Sequence, residues 1–89
     1  MTPSREAIEH DIKAKLVEIV DQLGDDARSV SNTDVLPATG LIDSAGLIEL
    51  LGWYESHFQL ELKQEEITID NLGTIADMAQ FVIKRNAAG

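Results

Sequence analysis

Apolar residues recur at steps of three and four in three stretches of this chain, and no stretch sustains the period-two alternation of a half-buried strand. In the first stretch Ile8, Ile12, Leu16, Ile19, Val20 and Leu23 form one stripe. Thr2 is a good helix cap, Pro3 fits a first helical position, and Gly24 suits the left-handed residue that ends a helix. The predicted helix is roughly 30 Å long at ~1.5 Å per residue. A second helix, from about Ser44 to Phe58, turns Leu47, Leu50, Leu51, Tyr54 and Phe58 inward. A further long helix follows Thr74, whose hydroxyl can cap it with Asp77 three positions on; its stripe is Ile75, Met78, Ala79 and Val82. Lys84 and Arg85 sit favourably at its negative end.

Two connections are less regular. Lys63 to Gly73 is too short and mixed for a full helix and predicts one short helical turn around Ile69 to Leu72. Asp25 to Asp43 is a long loop rich in turn residues, among them Ser31, Asn32, Thr33, Pro37, Thr39 and Gly40. A loop of that length in a compact domain needs its own apolar anchors. Val30, Val35, Leu36, Leu41 and Ile42 are the candidates. The pattern predicts an all-α fold: a small four-helix bundle with three long helices, one short helix and a long loop between the first two. Residues 1–89 are expected to form a single domain.

Composition narrows the function classes. A domain of this size buries only about 60–65% of the surface its unfolded chain exposes, so its core must be economical. No apolar run approaches the ~20 residues of a membrane span, and Met1 to Glu6 lacks the apolar stretch of a signal peptide. There is no cysteine, hence no disulfide framework and no cysteine-based metal site or nucleophile. These features predict a cytoplasmic protein. The formal net charge is -9. Between Ser29 and Ile83 the only basic residue is Lys63, against Asp34, Asp43, Glu49, Glu55, Glu61, Glu65, Glu66, Asp70 and Asp77. Such a field repels nucleic acid and anionic membranes and steers towards proteins with basic patches; the same charge also serves solubility.

Ser44 opens the second helix, and whether it is a nucleophile depends on a base within ~3 Å. His57 lies 13 positions further along the same helix, roughly 20 Å away. His10 is opposite the Ile8/Ile12 stripe of the first helix. Asp25-Asp26 and Asp70-Asn71 lack calcium-loop spacing, no glycine-rich phosphate loop is present, and no metal site is expected. A serine hydrolase is thus disfavoured. Ser44 lies at the end of the long loop, and Asp43 is a good helix cap in its own right.

The run Gly40-Leu41-Ile42-Asp43-Ser44-Ala45 at the mouth of the second helix, Glu49 five positions later and Phe58 at the helix end resemble the acyl carrier protein family. The resemblance extends over nearly the whole chain through the order of its helices. It implies that a phosphopantetheinyl transferase attaches 4'-phosphopantetheine from coenzyme A to Ser44, with Asp43 taking part in recognition. It implies a carrier rather than an enzyme: a monomer that holds acyl or aminoacyl cargo as a thioester, filled by a loading ligase or acyltransferase. A downstream synthase or transferase with basic docking patches would receive the cargo. The stretch Asp43 to Leu51 looks more like discrete, stand-alone carriers of amino acids or unusual starter units than housekeeping fatty-acid carriers. The expected setting is therefore polyketide or related natural-product biosynthesis. The alternatives are a fatty-acid carrier and an unmodified helical interaction domain in which Ser44 merely caps.

Partner choice is expected to lie on Ala45, Ile48, Glu49, Gly52 and Glu55. Two of these depart from expectation. Ala45 stands where the family usually has a larger aliphatic, and Gly52 is mid-helix, costing about 1 kcal/mol relative to alanine. Close approach of a partner or of the arm accounts for both; so does tight packing against a neighbouring helix. Trp53 falls at the edge of the inner stripe and is expected to be partly buried, while Glu61, Glu65 and Glu66 are expected to form a solvated run.

Overall fold

The computed structural model describes residues 4–88, and among them all regular structure is helical. The elements are α1 (Arg5–Gln22), α2 (Ser44–His57), α3 (Ile69–Leu72) and α4 (Ile75–Ala88), with 3-10 turns at Leu36–Thr39 and Gln64–Glu66. This is the expected bundle of three long helices and one short one. The cap expected from Thr2 and Pro3 lies outside the described residues. The helix opens at Arg5, where Ser4 caps it and its Oγ accepts from the Ala7 amide at 3.2 Å. Gly24 ends the helix with φ +84°, as predicted. Leu23 does not continue the stripe: it is the C-terminal cap, past the last helical turn, and is half exposed.

The core joins three helices. Ile8, Ile12, Leu16, Ile19 and Val20 of α1 meet Leu50 and Tyr54 of α2 and Ile75, Met78, Ala79 and Val82 of α4. Each buried isoleucine, leucine, valine or methionine among them contributes roughly 1.5–3 kcal/mol over its exposed state. α1 packs on both α2 and α4, whereas α3 rests on α4.

The long loop is held down as expected by buried Val30, Leu36 and Ile42, with Leu41 half-buried. Val35 is the exception, 37% exposed. Its neighbour Leu36 turns inward, and the Leu36 amide bonds the Gly73 carbonyl at 2.8 Å, which aims Val35 at solvent. Fully buried Ala27 is an anchor the pattern did not reveal. Two polar ties complete the loop: Ala76 N–H donates to the Asn32 carbonyl at 2.9 Å, and the Lys13 ammonium donates to the Val30 carbonyl.

The inner face of α2 is rotated from expectation. Gly46, Leu50 and Tyr54 are buried, but Leu47, Leu51 and Phe58 are only partly covered. Leu47 and Leu51 border an apolar crevice that separates α2 from α3. Glu66, expected in a solvated run, instead pairs with Arg85 of α4 and accepts from the Lys63 amide at 2.9 Å.

Candidate functional site: the turn that presents Ser44

The turn is built by residues that point away from it. The left-handed Gly40, φ +73°, ends the Leu36–Thr39 turn and redirects the chain. Ile42 then enters the core, and Asp43 caps α2: its Oδ1 accepts from the Gly46 amide at 2.7 Å, and its carbonyl accepts from Leu47 N–H at 2.9 Å. Such a cap is worth about 1 kcal/mol. Ser44 is the first residue of the helix and is exposed.

Gly46 holds this geometry, although its role was not apparent from the sequence. A Cβ at Gly46 would lie 2.7 Å from Ile42 Cγ1 and 3.2 Å from Asp43 Oδ1. Only the absence of a side chain lets the buried isoleucine pack under the first turn of the helix. Ser44 therefore stands on the surface between two buried residues, Ile42 and Gly46.

The electrostatics suit an anion at that position. The first amides of a helix have no partner inside it and carry its partial positive charge. No acidic residue occupies the first turn of α2, and the Asp43 carboxylate is turned towards Gly46. An exposed hydroxyl at this end fits a phosphodiester without burying a charge.

The expected partner residues do not all share one environment. Ala45, Ile48, Glu49 and Gly52 line the outward side of α2, with Ile48 71% exposed. No atom lies within 4 Å of the position a Cβ would take on Gly52. Packing against a neighbouring helix therefore does not explain this glycine, and exposed Ala45 has no such reason either. Gly52→Ala is expected to raise the unfolding free energy by about 0.5–1 kcal/mol, measured by denaturant titration. A loss of stability would show that the helix needs glycine there. Glu55 is apart from the others: half-buried, its Oε2 accepts from the Leu62 amide at 3.0 Å and holds the chain that leaves α2.

At the far end of α2, half-buried Trp53 stacks on His57 with ring centres 4.6 Å apart and meets Phe58 edge-on at 5.8 Å. His57 Nε2 faces Asp11 of α1 at 3.4 Å, so this imidazole belongs to the α1–α2 contact rather than to Ser44. Among the described residues there is no cluster of three metal-ligating side chains and no helix long and apolar enough to cross a membrane.

Along α2 from Leu47, one turn beyond Ser44, runs a feature the sequence pattern did not disclose. The crevice between α2 and α3 has a volume of about 150 Å³ and is walled by Leu47 and Leu51 on one side and Ile67 and Ile69 on the other. Ile67 and Ile69 are 46% and 62% exposed. Two isoleucines two positions apart in an otherwise polar segment were the only hint of it.

Comparison with known proteins finds relatives along most of the chain. The D-alanyl carrier protein of Streptococcus thermophilus is 33% identical to the chain over 79 residues, 86% of this chain and 99% of that protein. Those of Streptococcus gordonii and Streptococcus mutans are 32% and 30% identical over the same coverage. The chain belongs to the acyl carrier protein family. It is a carrier, as these relatives are, and not an enzyme. No protein-family profile and no solved structure matches it. Within the family, the relatives are named for an aminoacyl cargo.

Proposed function

We propose that this carrier bears 4'-phosphopantetheine on Ser44 and presents a small aminoacyl group of the D-alanyl kind to partner enzymes. The observation that carries the attachment site is the placement of Ser44: exposed, first in α2, and braced between buried Ile42 and Gly46. When bound, the group supplies a terminal thiol on which cargo is held as a thioester. The chain's own residues set the stage for it. Asp43 fixes the helix start, the positive end of α2 favours the phosphate charge, and His57 is turned to Asp11 rather than to Ser44.

The cargo follows the relatives, whose names specify D-alanyl. The polyketide setting expected from the Asp43–Leu51 stretch finds no support in them. A phosphopantetheinyl transferase, a ligase that activates an amino acid and a receiving transferase are the partners this reading requires. Ala45, Ile48, Glu49 and Gly52 are the surface on which they would dock, with basic residues facing Glu49. Residues 1–89 act as one carrier unit, in the cytoplasm where coenzyme A is at hand.

Incubation with coenzyme A and a broad-specificity transferase should add the mass of one phosphopantetheine to the wild-type chain. Ser44→Ala should gain none while its circular dichroism stays helical. No gain on the wild type would leave the chain an unmodified interaction domain in which Ser44 is merely the first residue of α2. The cargo is tested on the modified protein: a D-alanine-activating ligase should load it, and a fatty-acid acyltransferase should not. Equal loading by both would favour the fatty-acid carrier instead.

A further inference from the structure

The two sides of α3 meet different surroundings. Ile69 and Leu72 border the crevice towards α2, whereas Asp70 lines a separate groove along α4. That groove has a volume of about 400 Å³, and half-buried Phe81 is its one aromatic lining residue.

The charges in the groove are sorted along its length. Arg85 and Glu66 neutralise each other: they pair directly, and the Arg85 guanidinium carbon lies over the Phe81 ring, 4.9 Å from its centre. Three lining charges are left over. Among the described residues Asp70, Asp77 and Lys84 enter no ion pair. Asp77, Phe81 and Lys84 follow one another at steps of four and three, so they share one face of α4. Asp77 stands in the first turn, and Lys84 is roughly 10 Å further along the axis. At that distance the two cannot pair with each other. The face therefore reads acid, aromatic, base, with Asp70 adding a second carboxylate from α3.

This arrangement selects among possible occupants. Asp70 and Lys84 are exposed on the two walls. A small molecule between them would keep much of its surface in water, whereas pocket ligands bury some 70–90% of theirs. A second copy of the chain would bring a net charge of -9 against the same charge here. A helix of another protein meets neither obstacle. Residues seven positions apart on such a helix lie roughly 10 Å apart on one face, with an apolar position between them, and an amphipathic helix laid in a groove is a recurrent mode of recognition.

We propose that the groove between α3 and α4 is a second docking surface. It takes a partner's helix that carries a basic residue opposite Asp70 and Asp77, a carboxylate opposite Lys84 and an aliphatic side chain on Phe81. The groove shares no residue with α2 or with the turn at Ser44. A chain held there keeps its α2 face open to another protein. The surface is independent of any modification of Ser44 and is tested on the unmodified chain.

Three blocked, alanine-based helical peptides serve as probes. All share a central leucine and differ only at two flanking positions seven apart: Lys and Glu, Lys and Lys, or Gln and Gln. Each is titrated into the isotope-labelled full chain at ~0.15 M salt, where attraction of a basic peptide to an acidic protein is screened beyond ~8 Å. The Lys/Glu peptide should shift the amide signals of residues 70, 77, 81 and 84 and leave those of Ser44 and Ile48 in place. The Gln/Gln peptide should bind about two- to fivefold more weakly, the range of exposed ion pairs. Lys84→Glu, a change at an exposed position, should reverse the order, so that the Lys/Lys peptide binds better than Lys/Glu. Asp70→Asn with Asp77→Asn should bring Lys/Glu down to the level of Gln/Gln. Equal binding of Lys/Glu and Gln/Gln by the wild type would overturn the proposal, as would an unchanged order in Lys84→Glu or shifts centred on α2. Shifts of the same four residues on concentrating the chain without peptide would assign the groove to a second copy and overturn it too. If the groove behaves as described but Ser44 accepts no phosphopantetheine, the docking surface stands and only the carrier reading at Ser44 falls.

Discussion

Tyr54→Ala is expected to lower the unfolding free energy by about 3–5 kcal/mol, a large part of the roughly 4–13 kcal/mol available to a domain of this length. Tyr54 is completely buried, its ring meets Phe58 edge-on with centres 5.6 Å apart, and its hydroxyl donates to the Met78 carbonyl at 2.8 Å. That bond is a polar link between α2 and α4 inside the core. Tyr54→Phe keeps the ring and should lose only about 1 kcal/mol, because a carbonyl within a helix retains its backbone partner. The pH dependence separates the hydroxyl from the ring. Burial pushes the phenol well above its ordinary value near 10, with Arg85 opposing slightly. A raised folded-state pKa means that this stabilisation is complete below the unfolded value and is lost as pH climbs past it. Tyr54 is the sole tyrosine, so tyrosinate absorbance reports this one group. Absorbance and loss of helical circular dichroism should therefore rise together in alkali. Tyrosinate formed near its ordinary pKa with helicity intact would show that the phenol is reached without unfolding. Tyr54→Phe should remove this alkaline limit.

Much of this fold is legible in the chain because helix stripes are repeated signals. Ile8, Ile12, Leu16, Ile19 and Val20, like Ile75, Met78, Ala79 and Val82, report one another by spacing, and all are buried. Single residues carry less. Ala27 anchors the loop, but a lone alanine has no apolar surplus to announce it; Val35 looks like an anchor and is not, because only one of two neighbouring residues can turn in where Leu36 bonds to Gly73. Charges were the least readable. Glu55, Glu66 and Arg85 resemble ordinary solvated residues until the fold brings Leu62, Lys63 and each other within reach. At the site, an exposed Ser44 with Asp43 as its cap follows from local chemistry. Gly46 and the crevice do not, since both depend on what Ile42 and α3 do in three dimensions.

Gly46→Leu should therefore act on Ser44 more strongly than its distance from the hydroxyl implies. The new side chain must displace buried Ile42 or leave the helix, and overpacking of that kind lowers stability by about 1–3 kcal/mol. Either outcome breaks the bond from Gly46 N–H to Asp43 Oδ1 and shifts the first turn of α2. Displacements of about an ångström can slow an enzyme reaction ~100-fold, so the initial rate of coenzyme A-dependent mass gain should fall about 10- to 100-fold. Gly46→Ala should show the same effect in weaker form, since alanine's better helix propensity offsets part of the clash. Ile19→Val provides the comparison, expected to lose about 0.5–1.5 kcal/mol while keeping the wild-type rate. A slow rate confined to the Gly46 variants, all assayed well below their melting temperatures, would place the effect in the turn. Wild-type rates in Gly46→Leu would mean that the transferase accepts a loosened turn, and that bracing by Ile42 and Gly46 serves the fold rather than the presentation of Ser44.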